Sequence, residues 1–190
     1  MDQASLAAIA RLHAQCLPDS LVGALGDGYV RSFYRFVARS PRETLVVDRN
    51  EAGTPVAVAV LSLEPATLTR RLAMGTPLLL SALRQLPYFL THAFGGTGKG
   101  GGERGPELPS IKPQLILIYT AVTERGKGRA TTLIAELERR LRDRGVPEYE
   151  VRTESDPSNP ALAFYRARGF TPSGVSVRMG TSFQVFSRRL

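Results

Sequence analysis

The sequence predicts an α/β fold in which helices flank a mixed, strongly twisted central β-sheet. The first observation is a continuous apolar, β-branched run from Leu115 to Val122, which is typical of a strand buried on both faces. The second is the helical spacing of apolar residues from Ala130 to Leu141, directly after a short glycine-containing turn. The third is a series of strand-like segments on either side, near residues 44–61 and 148–153. Together they favour one domain over residues 1–190, with a helical insertion before the strand at Leu115.

Length and composition agree with a folded domain and exclude several classes of protein. The chain has 190 residues, 43% of them hydrophobic, which is enough to bury a core. Cys16 is the single cysteine, which excludes an internal disulfide, and two histidines are too few for a Cys/His metal cluster. The first residues lack the basic and apolar regions of a secretion signal. We therefore expect a cytoplasmic protein with no metal site.

The first third of the chain begins with a helix and ends with a predicted hairpin. Apolar residues from Leu6 to Leu17 recur at helical spacing, and Pro18 ends that helix. His13 lies on its apolar face, where we expect a hydrogen-bonded core histidine rather than a catalyst. Two strand-like segments, 44–48 and 55–61, are separated by turn residues and predict an antiparallel hairpin.

Residues 67–112 predict an insertion before the central strand. A helix begins at Thr67, the segment 75–77 interrupts it, and a second, apolar helix is predicted over 78–94. Polar residues interrupt that second helix, so it is not a transmembrane span. Residues 95–105 are glycine-rich and predict a flexible loop. A packing insertion, a wall over a ligand site, and an amphipathic segment that contacts a membrane or a second subunit are all compatible with this pattern.

The last third predicts the rest of the sheet. Residues 148–153 alternate between apolar and charged side chains, as a strand does. A turn with helix-capping residues leads into a short helix over 161–168, which Gly169 closes. Two closing strands are predicted at 175–179 and 183–186.

The glycine turn after the central strand has the chemistry of an anion-binding site. Gly126 and Gly128 give its backbone conformations that are closed to other residues. The first N–H groups of the helix that follows have no internal partners and lie at the positive end of its dipole, which suits a phosphate or pyrophosphate. A P-loop is excluded because Gly128 stands where Ser or Thr is required, and a dinucleotide motif because Thr131 replaces the third glycine. A plain connecting loop is the alternative.

The pattern Arg125-x-x-Gly128-x-Ala130, behind a strand that ends in Thr120-Ala121-Val122, resembles the acyl-CoA loop of the GNAT superfamily of N-acetyltransferases. The resemblance implies that the loop backbone holds the CoA pyrophosphate and that the splayed strand end holds the pantetheine arm. It implies acetyl-CoA as co-substrate. The implied cofactor-binding residues are Thr120, Ala121, Val122, Arg125, Gly126, Lys127, Gly128, Arg129, Ala130 and Asn159.

A second resemblance to the same family lies in the segment from Ser158 to Phe170. There Tyr165, Gly169 and Phe170 match a helix that ends in Tyr-x-x-x-Gly-Phe. The family resemblance implies that Tyr165 donates a proton to the departing CoA thiolate, and a phenol has a suitable pKa for that step. The asparagine of this signature is displaced, because Ser158 occupies its usual place and Asn159 stands one residue later.

The general base and the acceptor site are less well defined by the sequence. Glu150, Glu154 or a water molecule could take the proton of the attacking amine. A second helix is predicted after residue 28, with an aromatic stripe that includes Tyr29, Phe33 and Tyr34. Such a stripe is typical of core packing, but in the GNAT fold this region lines the acceptor site, so the three aromatics are weak candidates for substrate contacts.

The resemblance implies an N-acetyltransferase that moves an acetyl group from acetyl-CoA to a primary amine of a small molecule or amino sugar. Among enzymes, the alternative is a transferase for a longer acyl-CoA, with residues 78–94 making room for the chain. The net charge of +8 and the pI near 10.2 also leave open a non-enzymatic module that binds CoA or nucleic acid. We do not expect nucleic acid, because the arginines are spread over helix faces without a known motif. Monomer and homodimer are both compatible with the sequence.

Overall fold

The computed structural model of the chain describes residues 1–18, 20–75, 112–178 and 180–190. In the described residues, helices and strands follow each other in the predicted order, with one short helix at Leu21–Ala24 that the sequence did not predict. The helices are α1 (Gln3–Cys16), α2 (Leu21–Ala24), α3 (Asp27–Arg39), α4 (Pro65–Gly75), α5 (Arg129–Arg142) and α6 (Pro160–Ala167). The strands are β1 (Glu43–Arg49), β2 (Pro55–Ser62), β3 (Gln114–Thr120), β4 (Glu148–Glu154), β5 (Thr171–Arg178) and β6 (Thr181–Arg189).

The six strands form one mixed sheet in the order β1-β2-β3-β4-β6-β5. Neighbouring strands are antiparallel except β3 and β4, which are parallel. All eight residues of β2 are buried, because helices cover both faces of the sheet there. The predicted α/β fold with a mixed central sheet is therefore confirmed.

The parallel ladder between β3 and β4 is very short. Gln114 pairs with Glu150 and Leu115 with Val151, and the ladder ends at that point. Beyond it, β3 continues to Thr120 in pairing with β2, and β4 continues to Glu154 in pairing with β6. Residues 116–120 and 152–154 therefore border an opening in the middle of the sheet, which we call the β3/β4 gap.

Two hydrophobic clusters lie on opposite faces of the sheet. The first cluster packs under α5 and α6, and its largest buried side chains include Leu133, Leu137, Tyr149, Tyr165 and Phe186. The second cluster packs under α1 and α3, and it includes Ile9, Phe33, Tyr34, Val58 and Tyr119. Because β3 contributes to both clusters, its open end is in contact with both sides of the molecule.

The predicted apolar face of α5 is confirmed, with one correction. Leu133, Ile134, Leu137 and Leu141 are buried, but so is Glu138, which the sequence pattern places on the polar side. Its carboxylate accepts hydrogen bonds from Tyr149 Oη at 3.2 Å and Arg188 Nε at 3.0 Å, and it also pairs with Arg142. Tyr149 and Arg188 come from β4 and β6, so these two contacts cannot be predicted from the helical periodicity.

Several element boundaries differ from the prediction. β3 ends at Thr120 rather than Val122, because a 3-10 turn begins at Val122; Ala121 N–H still donates to Val56 O of β2. β5 and β6 are longer than predicted, and residue 179 at the predicted end of one closing strand lies outside the described residues.

The predicted helix at Thr67 is confirmed as α4, which begins at Pro65. The predicted second helix over 78–94 and the glycine-rich loop over 95–105 lie outside the described residues. No helix in the described part of the chain is both long enough and apolar enough to cross a membrane.

Candidate active site

The turn between β3 and α5 has the backbone geometry of an anion cradle. Gly126 and Gly128 have φ values of +76° and +79°, which L side chains rarely adopt. A Cβ atom at either position would meet nothing within 4 Å, so the space above the turn is open. Gly128 is the N-cap of α5, and no side chain caps the helix there. The first-turn N–H groups, from Arg129 to Thr131, therefore point to open space at the positive end of the helix dipole.

Two of the three cationic side chains in this turn, Lys127 and Arg129, form ion pairs with carboxylates of the same polypeptide. Lys127 Nζ lies 3.0 Å from one Glu124 oxygen, and the Arg129 guanidinium lies 3.1 Å from the other. Arg129 also reaches Asp48 of β1 at 3.2 Å. Among the described residues, no carboxylate pairs with Arg125. The hydrogen bonds from Lys127 and Arg129 lower the pKa of Glu124, so it is ionised at neutral pH.

These contacts assign separate tasks to the backbone and the side chains of the turn. The carboxylates of Glu124 and Asp48 fix the path of the loop through Lys127 and Arg129. The anion-binding groups that remain open are the backbone N–H groups and the exposed side chain of Arg125. Neither Glu124 nor Asp48 was predicted from the sequence. Glu124 could have been found from its spacing to the two cations, whereas Asp48 is 81 residues from Arg129 and gives no local signal.

The end of β3 leads directly from the β3/β4 gap to the anion cradle. Thr120 and Ala121 are partly exposed, and Val122 is exposed at 67% although it is a large apolar residue. Ile116, Leu117 and Ile118 are also only partly buried, which is unusual for the middle of a sheet. The cause is the departure of β4, which leaves one edge of β3 without a neighbouring strand. The result is a partly exposed apolar stretch of β3 whose backbone groups β4 does not bind.

Asn159 lies at the other border of the gap, where it joins α6 to β4. Its side-chain oxygen accepts a hydrogen bond from Ala161 N–H at 3.0 Å, which caps α6. Its amide nitrogen donates to Thr153 Oγ1 and to Glu154 O, both at 2.9 Å. The displaced asparagine is therefore engaged within the protein. Ser158, in the place that the family signature gives to asparagine, is exposed and binds Asp156.

Tyr165 is 4% exposed and lies in the hydrophobic cluster that also contains Leu115 and Val151, the last paired residues of β3 and β4. Its ring packs edge-on against Phe170 with the ring centres 5.2 Å apart, and it also contacts Phe186. Burial raises the pKa of Tyr165 well above the usual value for a phenol. The hydroxyl therefore keeps its proton throughout the neutral pH range.

The three aromatic candidates for acceptor contacts differ in accessibility. Phe33 and Tyr34 are buried at 2% and 0% exposure, whereas Tyr29 is partly exposed. The core role that is typical of such a stripe is thus observed for Phe33 and Tyr34. His13 is also buried, and both ring nitrogens are hydrogen-bonded, to Tyr34 and to Ser20, as expected for a core histidine.

The two candidate bases lie along β4. Glu150 is partly buried, has interaction partners of its own, and pairs in register with Gln114 where the short ladder ends. Glu154 is exposed at the end of the strand. In the described part of the chain, no group of three His, Cys, Asp or Glu side chains is arranged to hold a metal ion.

Comparisons with known proteins agree with this architecture. Residues 89–170 match the family described as "Acetyltransferase (GNAT) family". The matched segment includes β3, the anion cradle, α5, β4 and α6. The resemblance that the sequence motifs predict is therefore confirmed. No curated protein matches the chain.

Solved structures with the same fold include several acetyltransferases. The ribosomal-protein-S18-alanine N-acetyltransferase from Escherichia coli superposes with a TM-score of 0.59 at 12% identity, over 100% of this chain and 90% of that one. The ribosomal-protein-alanine N-acetyltransferase from Brucella melitensis gives 0.59 at 18% identity, over 100% and 97%. An N-acetyltransferase from Staphylococcus aureus Mu50 gives 0.62 at 12% identity, over 100% and 94%. At these identities the likeness establishes the fold.

Proposed function

Because residues 89–170 form part of a GNAT acetyltransferase domain, we propose that this protein transfers an acetyl group from acetyl-CoA to the primary amine of a small molecule or amino sugar. The observation that carries the proposal is the continuity of the β3/β4 gap with the anion cradle. A strand edge without a partner leads in a few residues to an uncapped helix N-terminus. One elongated ligand with an anionic part and an arm of alternating amide and apolar groups fits both features at once.

In this proposal the chain binds acetyl-CoA mainly through its backbone. The backbone N–H groups of Gly126 to Ala130, of which those of Arg129 and Ala130 are open at the start of α5, receive the pyrophosphate. Arg125 adds a positive charge that is free of carboxylate partners among the described residues. The edge of β3 that β4 leaves open leads to Thr120, Ala121 and Val122, and in this proposal its backbone hydrogen-bonds the amides of the pantetheine arm, as a neighbouring strand would. Asn159 acts by fixing the opposite border of the gap, because its amide already bonds Thr153 and Glu154.

Acetyl-CoA supplies an activated acyl group, and the protein positions groups around it. Tyr165 is proposed to give its proton to the sulfur when the thiolate departs, and its buried hydroxyl is fully protonated at neutral pH. The amine attacks the thioester carbonyl directly. Its proton goes to Glu150, Glu154, water or a further group described below. Tyr29 contributes the accessible part of the aromatic stripe to the acceptor side.

A binding measurement with a matched control tests the cofactor site. Gly128→Glu places a carboxylate above the open N–H groups, so we expect the affinity for acetyl-CoA in calorimetry to fall at least about tenfold. Gly53→Glu is the control, because Gly53 has a similar φ of +75°, also has nothing within 4 Å of its would-be Cβ, and lies in the β1–β2 turn. Both variants carry the same backbone strain. Equal acetyl-CoA affinity in the two folded variants would place the site elsewhere.

An amine panel tests the transfer itself. The wild-type protein is incubated with acetyl-CoA and with glucosamine, spermidine, phosphinothricin or a peptide that begins with alanine, and the release of thiol is recorded. The peptide is included because two similar structures are named for acetylation of an alanine of a ribosomal protein. We expect transfer to a small-molecule amine. Binding of acetyl-CoA without thiol release on any amine would favour a non-enzymatic CoA-binding module.

A further inference from the structure

A continuous chain of hydrogen bonds crosses the buried interface between α1, α3 and β3. Tyr119 Oη lies 2.8 Å from Tyr34 Oη, Tyr34 Oη lies 2.8 Å from His13 Nδ1, and His13 Nε2 lies 2.8 Å from Ser20 Oγ. The three ring side chains are 6%, 0% and 0% exposed. We call these four residues the Tyr119–Ser20 chain. A buried hydroxyl without a hydrogen-bond partner destabilises the folded state. These polar side chains can therefore be buried in an apolar cluster only because they hydrogen-bond to one another.

The direction of every hydrogen bond in the chain follows from its last member. Ser20 Oγ donates its hydrogen to Leu17 O at 2.9 Å and accepts from Gly23 N–H at 3.0 Å. The hydroxyl hydrogen of Ser20 is therefore already engaged, so His13 Nε2 must be the donor in the hydrogen bond between His13 and Ser20. Burial lowers the pKa of His13, so the ring is neutral at pH 7 and Nδ1 is an acceptor. Tyr34 then donates to His13, and Tyr119 donates to Tyr34.

This order leaves one member with unused capacity. Ser20, His13 and Tyr34 have both their donor and acceptor functions occupied within the chain or by the backbone. Tyr119 donates to Tyr34, and no donor in the described part of the structure binds its oxygen. Its open lone pairs make it an acceptor for an N–H group. An amine or ammonium is a ligand of that kind, whereas a carbonyl or carboxylate is not.

Tyr119 lies on the part of β3 that borders the β3/β4 gap. It follows the last residue paired with β4 by four positions and precedes Thr120, whose carbonyl accepts from the Cys16 thiol at 3.5 Å. Its side chain lies on the face covered by α1 and α3, opposite the face covered by α5. For an amine that approached a thioester in the β3/β4 gap from this face, the Tyr119 hydroxyl is a buried acceptor on the strand that borders the gap.

We propose that Tyr119 accepts the proton of the attacking amine and that Tyr34 relays it to His13; this rests on the proposed acetyl transfer. The nitrogen forms a bond to the acetyl carbon and loses a proton to Tyr119 Oη. In the same event Tyr119 passes its own proton to Tyr34, and Tyr34 passes its own to His13 Nδ1. The carbon–sulfur bond breaks, and the thiolate takes the proton of Tyr165. After product release, His13 returns its proton along the chain to solvent, and Tyr165 takes one up.

The concerted transfer avoids a buried tyrosinate. Burial raises the pKa of both Tyr34 and Tyr119, so neither remains deprotonated between steps. The titratable groups that act on the chain in the described residues are Cys16 on α1, the two tyrosines on α3 and β3, and Arg125, which acts on the Cys16 thiol. No carboxylate is among them. Tyr119 is thus the catalytic residue of this relay, and Tyr34 and His13 act through it.

The pH dependence of kcat/KM for the best amine of the panel tests the relay. Tyr34→Phe keeps the ring and cuts the chain, so we expect kcat/KM to fall about 10²-fold at pH 7. The deficit should shrink as pH rises toward 10, because hydroxide can then remove the proton of the attacking nitrogen without the relay. Tyr119→Phe should show the same profile, and the double variant should lose no more than either single one, since a chain is cut only once. Tyr149→Phe is the control, because it removes a buried hydroxyl that binds Glu138 away from the gap.

Each result decides between defined outcomes. A deficit in Tyr34→Phe that stays constant with pH, or losses that add in the double variant, would overturn the relay while wild-type activity upholds the transferase. Absence of transfer by the wild-type enzyme would overturn the proposed function and the relay with it. A second measurement needs no variant: the nitrogen NMR spectrum of His13 at pH 7 should show the neutral form with hydrogen on Nε2. Hydrogen on Nδ1 would reverse the chain and exclude the relay.

Discussion

Tyr165 combines a core position with a proposed chemical role, and a single substitution separates the two. Tyr165→Phe keeps the ring contacts with Phe170 and Phe186 and removes only the hydroxyl. We expect kcat to fall about 10²- to 10⁴-fold, the usual worth of one positioned acid, with a smaller change in KM for acetyl-CoA. Steady-state kinetics and a melting curve on the same preparation provide the check. A kcat equal to wild type would exclude Tyr165 as the acid.

The control for this variant is again Tyr149→Phe. Tyr149 is also fully buried, and its hydroxyl donates to Glu138 at 3.2 Å, so its loss leaves a buried carboxylate with one partner fewer. We expect a lower melting temperature and a normal kcat. We thus expect Tyr165→Phe to lower kcat and Tyr149→Phe to lower the melting temperature, although each removes one phenolic oxygen from the same hydrophobic cluster.

Individual residues show which features of the site can be predicted from the sequence and which cannot. Tyr165 and Gly128 were predicted because a local pattern of a few residues specifies them. The structure places Tyr165 in the cluster that contains Leu115 and Val151, and Gly128 at the start of α5. The sequence did not predict a functional role for Tyr119, because its partners His13 and Tyr34 lie far away in the chain. Glu138 was misplaced for the same reason. Contacts between distant segments leave no trace in periodicity.

At the scale of an element, α4 is fastened to the sheet by a buried ion pair. The Arg71 guanidinium binds both oxygens of Glu43, at 2.7 and 2.9 Å, and Ser62 donates to the same carboxylate. The Glu43 side chain is 0% exposed and that of Arg71 is 14% exposed. Burial raises the pKa of Glu43, but the hydrogen bonds from Arg71 and Ser62 outweigh this effect, and its pKa is lowered overall.

Removal of one partner of this pair should be costly. Arg71→Met leaves the Glu43 carboxylate buried without its counter-charge, so we expect the free energy of unfolding to fall by about 3 kcal/mol or more. Arg42→Met is the control, since the Arg42–Glu64 pair is about half exposed on both sides and should contribute less than about 1 kcal/mol. Urea unfolding of both variants gives the comparison. If Glu43→Gln with Arg71→Met is as unstable as Arg71→Met alone, the buried charge is not the cause.

The elements themselves were predictable where one local rule governs them. The central strand, the glycine turn and α5 follow directly from apolar runs, positive-φ glycines and helical spacing. The exact ends of β3, β5 and β6 were not, because a partner strand determines them: Val56 binds Ala121, and β6 lengthens β5 by pairing with it. The early departure of β4 from β3 is likewise a property of the sheet and has no counterpart in the sequence of either strand.

At the scale of the whole molecule, His13 makes stability depend on pH. Burial lowers the pKa of His13 in the folded protein below its ordinary value near 6.5. As pH falls below 6.5, the unfolded chain therefore binds a proton that the folded chain does not, and stability decreases until the folded pKa is reached. We expect a slope of up to about 1.4 kcal/mol per pH unit between these two values. Above pH 7 the effect is absent.

Urea unfolding of wild type and His13→Gln between pH 5 and 8 measures this contribution, because the difference between the two slopes isolates His13. The carboxylates act in a separate window: Arg139 and Arg140 lower the pKa of Glu136 to about 2, so its contribution is lost only below the ordinary carboxyl pKa. Parallel slopes for both proteins above pH 5 would show that folding does not lower the pKa of His13.

The brevity of the β3–β4 ladder has a mechanical consequence. Two residue pairs join a leaf of three strands, β1, β2 and β3, to a leaf formed by β4, β6 and β5. Few backbone hydrogen bonds connect the two leaves. Side chains make further connections: Glu138 of α5, for example, binds Tyr149 and Arg188. The two leaves also share one hydrophobic cluster, which includes Leu115 of β3 and Val151 of β4. A ligand bound along the β3/β4 gap would contact both leaves. Its binding would therefore stabilise the whole sheet.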